Sequence, residues 1–331
     1  MSLVPKVSII MPVHNAGIHL HKCLDSLVNQ TLKEIEIIIV LDCPTDGSEQ
    51  ICKQYASIDS RIKILENESN LHVGLSRNEG LKVAIGEYIG FSDHDDFREL
   101  DMYECLYNDA LLEHSDVVFS AFGYVRNGSV HHDIYPSSAE TKILEILLGR
   151  EKETKEWYPF IRNGGIWNKI YKRSLIEDNC LTFIDNKRAT LEDLLFQIQC
   201  FHFSKNVSCV NRVFYYHVEN INNTSSGYSY YNLQFLNEYC SNLKLFLESE
   251  NIYKKYEYRY WDTVVFFTVT GILNEFKFKK WKIFSYTFYK QLKNNEVRSA
   301  FKNVKINDTV FELNNISKIL FAKVLFFFLK K

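Results

Sequence analysis

The sequence predicts an α/β fold: a mostly parallel sheet with helices on both faces, followed by a helical C-terminal region. Three observations predict it. Strand and helix periods alternate through the first hundred residues, and the strands are near-continuous apolar runs. Beyond about Tyr230, aromatic and Lys residues recur while Gly and Pro almost vanish. Alternation with apolar strands is the pattern of a sheet covered on both faces.

The elements follow in order. Val7 to Val13 reads as a buried strand, and Ile18 to Asn29 as a helix carrying Leu20, Leu24 and Leu27 on one face. Ile35 to Leu41 is a second strand, Ser48 to Ser57 a helix, and Arg61 to Leu65 a short strand. Gly74 to Ala84 is helical and Glu87 to Phe91 a fourth strand. Asp101 to Glu113 then predicts a helix, Asp116 to Tyr124 a strand, and Asn127 to Ser138 a loop. Lys142 to Gly149 predicts a helix, and Gly164 to Lys172 mixes strand and turn signals. Leu191 to Phe203 reads as a helix and Val207 to His217 as a strand. The polar run Asn222 to Ser226 places a boundary near Gly227, giving a first domain over 1–227 and a helical region over 228–331.

Composition narrows the function classes. The chain has 331 residues, 46% of them apolar and 24% charged, which excludes a disordered or fibrous chain. A net charge of -2 argues against nucleic acid as a partner, since such proteins carry a basic surplus. The 8 cysteines form no CxxC pair and no zinc spacing, so they read as reduced, mostly buried thiols. Met1 to Pro5 shows no charged segment or long apolar run, and Ile319 to Leu329 is too short to span a bilayer. The expected location is therefore cytoplasmic.

Parallel sheets bind ligands beyond the carboxyl ends of their strands. Asp42 follows the second strand, and Asp93, Asp95 and Asp96 follow the fourth, so both sets fall on one edge of the sheet. Three acids in four residues repel one another unless a cation neutralises them. Mg²⁺ or Mn²⁺ suits such oxygen donors and is often shared with substrate phosphates. The alternative makes Asp95 and Asp96 caps of the following helix and Asp93 a turn residue. Neither GxGxxG nor GxxxxGK[ST] occurs, so a phosphate-bearing ligand has to be held without a glycine-rich loop.

Five runs in this order resemble the family 2 glycosyltransferases: Val7 to Asn15, Cys23 to Thr31, Ile37 to Asp46, Gly74 to Gly80 and Gly86 to Asp96. The resemblance implies the GT-A fold, a nucleotide-sugar donor (commonly a UDP-sugar), a divalent metal and inversion at the anomeric carbon. It divides the first domain into a nucleotide-sugar half over about 1–100 and an acceptor half over about 101–227. Position by position, it implies that Pro12, His14 and Asn15 line the nucleotide pocket, that Asp42 hydrogen-bonds the base, and that Arg77 lies alongside. Asp93 and Asp95 stand at the DxD motif, Asp95 as the direct metal ligand and Asp93 nearer the ribose and metal shell. Taken alone, Asn15 is equally a turn-former and Arg77 a surface ion-pair partner.

In the second half, Leu191 to Phe196 resembles the family's Glu-Asp motif, which implies that Asp193 is the catalytic base, with Glu192 the rival base that in the family more often supports or orients. Asp193 also reads as an acid at a helix N-terminus. Trp167 to Arg173 resembles the segment bordering the acceptor and diphosphate, with Trp167 stacking on sugar and Lys169 meeting phosphate. A buried Trp and a solvated Lys fit those positions equally. Departures are His14, where the family usually has Tyr, and Leu41-Asp42-Cys43-Pro44, where it has Asp-Asp-Gly-Ser. These put base and sugar preference in question.

The implied acceptors are saccharides or lipid-linked saccharides of bacterial surface polysaccharide. Residues 316–331 read equally as an interfacial helix on the inner face of the plasma membrane, for peripheral contact, and as a helix packed on the core or on a homodimer partner. Two rivals stand beside this reading. A nucleotidyltransferase lacks its glycine- and arginine-rich loop here, and a non-catalytic scaffold of the same fold is opposed by the presence of Asp42, Asp93, Asp95 and Asp193.

Overall fold

The computed structural model describes residues 4–133, 165–185, 187, 191–219, 233–278, 289–291 and 293–304. Strands β1 (Val7–Val13) and β2 (Ile35–Leu41) are buried at every position, as apolar strands are when helices cover both faces. Helix α1 (His19–Val28) follows β1, and α2 (Ser48–Ile58) follows β2. Helix α3 (His72–Val83) follows β3 (Ile62–Glu66), and the run closes on β4 (Tyr88–Phe91). The α1 residues Leu20, Cys23, Leu24 and Leu27 are buried, the stripe that its spacing predicts.

The chain continues through β5 (Phe97–Arg98), α4 (Met102–Leu112), β6 (Val117–Arg126) and β7 (Ser129–Asp133). A 3-10 turn (Ile166–Asn168) leads into β8 (Lys169–Lys172) and α5 (Arg173–Asp178). Helix α6 (Glu192–Phe203) and β9 (Val207–Val218) complete the unit. The sheet order is β3-β2-β1-β4-β8-β6-β9-β5, with β7 paired to β6. Neighbours from β3 to β4 are parallel, while β8 is inserted antiparallel between β4 and β6.

This topology decides which residues meet. Val13 pairs with Leu41, and Leu41 with Glu66, so the loops after β1, β2 and β3 leave one edge, joined there by the loop after β4. Because β8 runs the other way, its first residue, Lys169, lies at that edge, opposite Phe119 of β6. The last residues of β9 reach the same edge, and β5 pairs with them through Phe97 and Tyr216.

Two glycines of the family-like runs serve packing, Gly86 at the starting ends of the strands and Gly80 of α3 against the middle of β1. An added Cβ on Gly86 would lie 2.5 Å from the Ser8 backbone nitrogen, and one on Gly80 would lie 2.4 Å from Ile10 Cγ2. Gly86 N donates to Ser8 Oγ at 2.7 Å. Ser8 Oγ donates in turn to the buried Glu36 carboxylate, which also accepts from Ile85 N at 2.8 Å and Lys63 Nζ at 2.6 Å.

Two local expectations are corrected. Asn127 to Ser138 is not simply a loop, because Asn127 and Gly128 both have positive φ (49° and 78°) and close a hairpin between β6 and β7. Asn-Gly between strands is the signal of that turn, and it was present in the sequence. The Asp95–Asp96 cap alternative also fails: α4 has Asp101 at its N-cap and no side-chain cap bond. The expected helix over 142–149, the boundary near Gly227 and the segment 316–331 lie outside the described residues.

The described residues fall into two compact units, the first drawn from 1–143, 158–187 and 192–220 and the second from 144–157, 188–191 and 221–331. In the second, α7 (Leu233–Ser249) packs on α8 (Tyr253–Phe278), which packs on α9 (Asn295–Asn303). Asn294 caps α9 by accepting from Glu296 N and Val297 N, and Tyr260 Oη donates to Glu296 at 2.6 Å. Among the described residues, no helix is long and apolar enough to cross a membrane.

Gly86→Ala is expected to destabilise the chain by about 2 kcal/mol or more, because the clash is with backbone. In Gly80→Ala the neighbour is a side chain that can shift, so the loss is expected to be smaller. Urea denaturation of the two variants, compared at equal slope, checks the order.

Candidate functional site

Asp42 is held from two sides at the mouth of β2. It is 2% exposed, and its Oδ1 accepts from Asn67 Nδ2 at 2.8 Å and from Leu71 N at 2.7 Å. Asn67 is the first residue after β3, as Asp42 is after β2, and its amide also donates to Ser76 Oγ of α3. Asp42 Oδ2 makes no hydrogen bond among the described residues. The His14 ring contacts the Asp42 carbonyl at 2.6 Å; that oxygen accepts, so Nδ1 carries the proton. Asn15 Oδ1 accepts from Thr45 N at 2.7 Å, which ties the β1 loop to the β2 loop. Pro12 is buried within β1, and its carbonyl accepts from His94 Nδ1 at 3.3 Å.

Asn15, Cys43 and His72 all have left-handed φ (50°, 53° and 63°), the first two in the loops after β1 and β2 and the third at the first residue of α3, after β3. Non-glycine residues there carry strain, and such residues cluster at functional sites. The Asn70 side chain supports the third by accepting from His72 N.

Asp95 and Asp96 are neighbours in sequence with different surroundings. Asp96 is 1% exposed and saturated: it accepts from Tyr215 Oη at 2.8 Å, His217 Nδ1 at 3.1 Å and Val218 N at 2.8 Å. It therefore fastens β9 to the loop after β4. Burial opposes charge on His217, but Asp96 wins and the imidazole is pushed up to about 9. Asp95 has no hydrogen-bond partner on another residue among the described residues, only its own backbone amide. Burial, reinforced by the charges of Asp96 and Asp93, pushes its carboxyl up to about 7.

Asp93 belongs to a third arrangement. Arg77, 4% exposed, reaches from α3 to Asp93 Oδ1 at 3.0 Å and to Glu192 Oε1 at 2.9 Å. The surface ion-pair alternative for Arg77 does not hold. Burial opposes its charge, yet Asp93, Glu192 and Asp193 hold the guanidinium firmly protonated. Asp193 stands beside Glu192 at the start of α6 and accepts from Leu194 N. Burial and the adjacent Glu192 charge push its carboxyl well above the usual carboxylate range, with Arg77 pulling the other way.

Trp167 and Lys169 are placed differently from their expected roles. Trp167 is 8% exposed, one face stacked on Tyr215 at 4.2 Å between ring centres, which fits the buried alternative rather than a sugar platform. Lys169 is 0% exposed, so it is not a solvated Lys. Its ammonium donates to the Gly165 carbonyl and to Asn168 Oδ1, which directs it into the protein rather than toward a phosphate.

Asp42, Arg77, Asp93, Asp95, Glu192 and Asp193 are thus carried to one edge. Asn67, Tyr215 and His217 were missed by sequence reasoning. The rule that selected Asp42, the first residue after a parallel strand, also selects Asn67, and His217 lies at the end of a strand reaching that edge.

Asp93 and Asp95 suit a divalent cation as hard oxygen donors: Asp95 is unpaired and Asp93 keeps one oxygen clear of Arg77. Among the described residues, no cluster of three or more His, Cys, Asp or Glu side chains is arranged for a metal ion. Remaining ligands would have to come from phosphate oxygens and water.

Residues 8–179, just over half of the chain, match the family described as glycosyl transferase family 2. A Bacillus subtilis (strain 168) protein named as glycosyltransferase EpsH is 33% identical over 64% of this chain and 60% of its own length. The chain therefore spans less than two thirds of that relative. A cholesterol galactosyltransferase of Borreliella burgdorferi is 33% identical over 76% of this chain and 72% of its own. The crystal structure of S. aureus TarS 1–349 with UDP-GlcNAc superposes with a TM-score of 0.63, at 20% identity, covering 96% of this chain and 87% of that one. At that identity the likeness speaks for the fold.

His217→Gln is expected to keep a hydrogen bond to Asp96 but lose the charge. The raised pKa gives stability that is full below about pH 6.5 and lost as pH rises through about 9. The variant should therefore be weaker by about 1–2 kcal/mol near pH 6 and indistinguishable above pH 10, discounting for partial exposure. Denaturant melts across that range check it.

Proposed function

The chain belongs to glycosyl transferase family 2, and from that premise we propose that it is an inverting glycosyltransferase. In this reading it moves a sugar from a UDP-sugar to a saccharide or lipid-linked saccharide acceptor of bacterial surface polysaccharide. The observation that carries the donor side is Asp95: a carboxylate without a side-chain partner, raised to about 7 by its neighbours, in the loop after a parallel strand. Such a group invites a cation, and a nucleoside diphosphate brings the remaining oxygen ligands. The TarS neighbour crystallised with UDP-GlcNAc supports a uridine nucleotide.

In this mechanism Asp42, held by Asn67 and Leu71, presents its remaining oxygen to the base, with His14 and Asn15 at the rim. Asp93 and Asp95 would hold Mn²⁺ or Mg²⁺, which when bound supplies Lewis-acid stabilisation of the departing diphosphate. Arg77 fixes Asp93 on one side and Glu192 on the other, and so sets the donor loop against the start of α6. Asp193 removes the proton from the acceptor hydroxyl as that oxygen attacks the anomeric carbon. The bond to the diphosphate oxygen breaks, the electron pair leaves with UDP, and a single displacement inverts the centre. The transition state has oxocarbenium character, so no covalent nucleophile is needed.

Calorimetry of UDP with and without Mn²⁺ tests the donor site. Binding to the parent chain should be strongly Mn²⁺-dependent, and Asp95→Ala should lose that dependence with at least about a tenfold fall in affinity. UDP binding indifferent to both would remove the Asp93–Asp95 assignment. For turnover of UDP-sugars, Asp193→Asn should lower kcat by about 10²–10⁴ while leaving UDP affinity unchanged. Unaltered turnover would remove Asp193 as the base.

A further inference from the structure

Asn78 follows Arg77 in α3 and lies in the Gly74 to Gly80 run, yet the mechanism above gives it no task. Its side-chain amide is spent on the backbone of one distant residue. Nδ2 donates to the Phe183 carbonyl at 2.9 Å, and Oδ1 accepts from Phe183 N at 2.9 Å. A backbone N–H can meet only the oxygen of an amide, so the pair also fixes which way the Asn78 group is turned. Phe183 lies beyond α5 in a stretch with neither helix nor strand. There a single side chain takes the place of the ladder that a neighbouring strand would supply.

The ring so anchored is a spacer. Phe183 is 2% exposed, and the Arg77 guanidinium carbon lies over its ring, 5.4 Å from the centre. The same ring stacks on Phe196 of α6, 4.1 Å between centres and with planes 10° apart. Phe196 stands one helical turn beyond Glu192, which accepts from Arg77 at 2.9 Å. Helix α6 therefore meets Arg77 twice, directly through Glu192 and by way of the Phe183 ring through Phe196. Phe91, the last residue of β4 and two positions before Asp93, meets Phe183 and Phe196 edge-on at 5.3 Å and 5.6 Å. The end of β4, α3 and the start of α6 thus converge on one phenylalanine.

An arginine between two acids holds them more firmly where water is kept out, because water competes for its donors and weakens its field. An aromatic face is a cover that suits a cation, since it excludes water and attracts the charge. Arg77 Nε has no hydrogen-bond partner among the described residues, so this guanidinium depends on its cover as well as on its acceptors. We propose that Asn78 and Phe183 are positioning residues: Asn78 pins the Phe183 backbone, and the ring keeps Arg77 dry and locked between Asp93 and Glu192. Consecutive residues of α3 grip the same phenylalanine, Arg77 by its ring and Asn78 by its main chain. The spacing they set is that between the loop after β4 and the Glu192–Asp193 pair. The proposal rests on the reading of Asp193 as the base.

The test uses the full chain with ¹⁵N-labelled arginine, the Arg77 signals assigned by their loss in Arg77→Lys. In the parent, the Arg77 Nη protons should give separate signals, because rotation is blocked, and should be moved upfield by the ring. Asn78→Ala keeps the ring and removes its anchor, so the upfield shift should shrink and the signals should merge. Phe183→Leu keeps an apolar cover without the π face and should merge them too, a measurement that stands even where the Asn78 variant does not fold. Release of UDP from UDP-GlcNAc should fall about tenfold or more in kcat in both variants. UDP affinity by calorimetry should change less, because the Asp42 side of the donor site is untouched. A residue that served stability alone would leave both kcat and the Arg77 signals of the folded protein as they were. Arg77 signals that stay separate in both variants overturn the proposal, and so does an undiminished kcat alongside a lowered one in Asp193→Asn. Undiminished turnover in Asp193→Asn would instead overturn the base assignment alone.

Discussion

The candidate site depends on one buried cation. Arg77 reaches Asp93 and Glu192 at the same time, joining a loop of the parallel half to a helix 115 positions further along the chain. Burying a guanidinium costs several kcal/mol, and such a cost is tolerated only where the partners are charged and the geometry is good. Both partners here meet that condition. Their negative charges in turn are tolerable beside Asp95, Asp96 and Asp193 because Arg77 sits among them. Nε of Arg77 has no partner among the described residues, so the grip is two-pronged rather than complete. Removing such a bridge would leave acids facing one another in a half-buried space. The edge is best understood as acids balanced by a few interior cations.

The opposite ends of the strands are built to be rigid. Ser8, Glu36, Lys63, Ile85 and Gly86 close a hydrogen-bonded knot that pins the start of β4 to β1 and β2. Lys63 brings a charge-assisted bond to the buried Glu36, whose carboxyl is pulled below its usual range despite burial. Gly86 and Gly80 permit close approach rather than unusual backbone angles. Resemblance runs that carry chemistry at one end thus carry packing at the other, and a rigid sheet is what holds the loops after β1, β2 and β4 at fixed spacing.

Much of this was legible because it is local. The apolar runs from Val7 and Ile35 announce buried parallel strands, and parallel strands send their following residues to one edge, which is why Asp42 and Asp93 to Asp96 belong together. What was not legible depends on register and long separation. Nothing near Lys169 in sequence says that β8 enters antiparallel between β4 and β6, and only that insertion buries its side chain. The Arg77–Glu192 pair, and the Asp96 contacts to Tyr215, His217 and Val218, are tertiary facts of the same kind. The Asn127–Gly128 hairpin is different: its signal was local, and its polar flanking residues obscured it.

Asp95 and Asp96 show why an acidic motif is read poorly as a unit. Both follow the same strand, both are surrounded by carboxylates, and sequence alone gives no reason to separate them. The structure does so through supply of donors. Asp96 points to β9, where a phenol, an imidazole and a backbone amide satisfy it, and a saturated carboxylate has little capacity left for a ligand. Asp95 has no such supply, so its charge is opposed by burial and by its neighbours. A fold that only needed the turn closed had no cause to keep an acid in so unfavourable a place. The saturated member steadies the loop, and the other keeps its carboxylate clear of any partner side chain among the described residues.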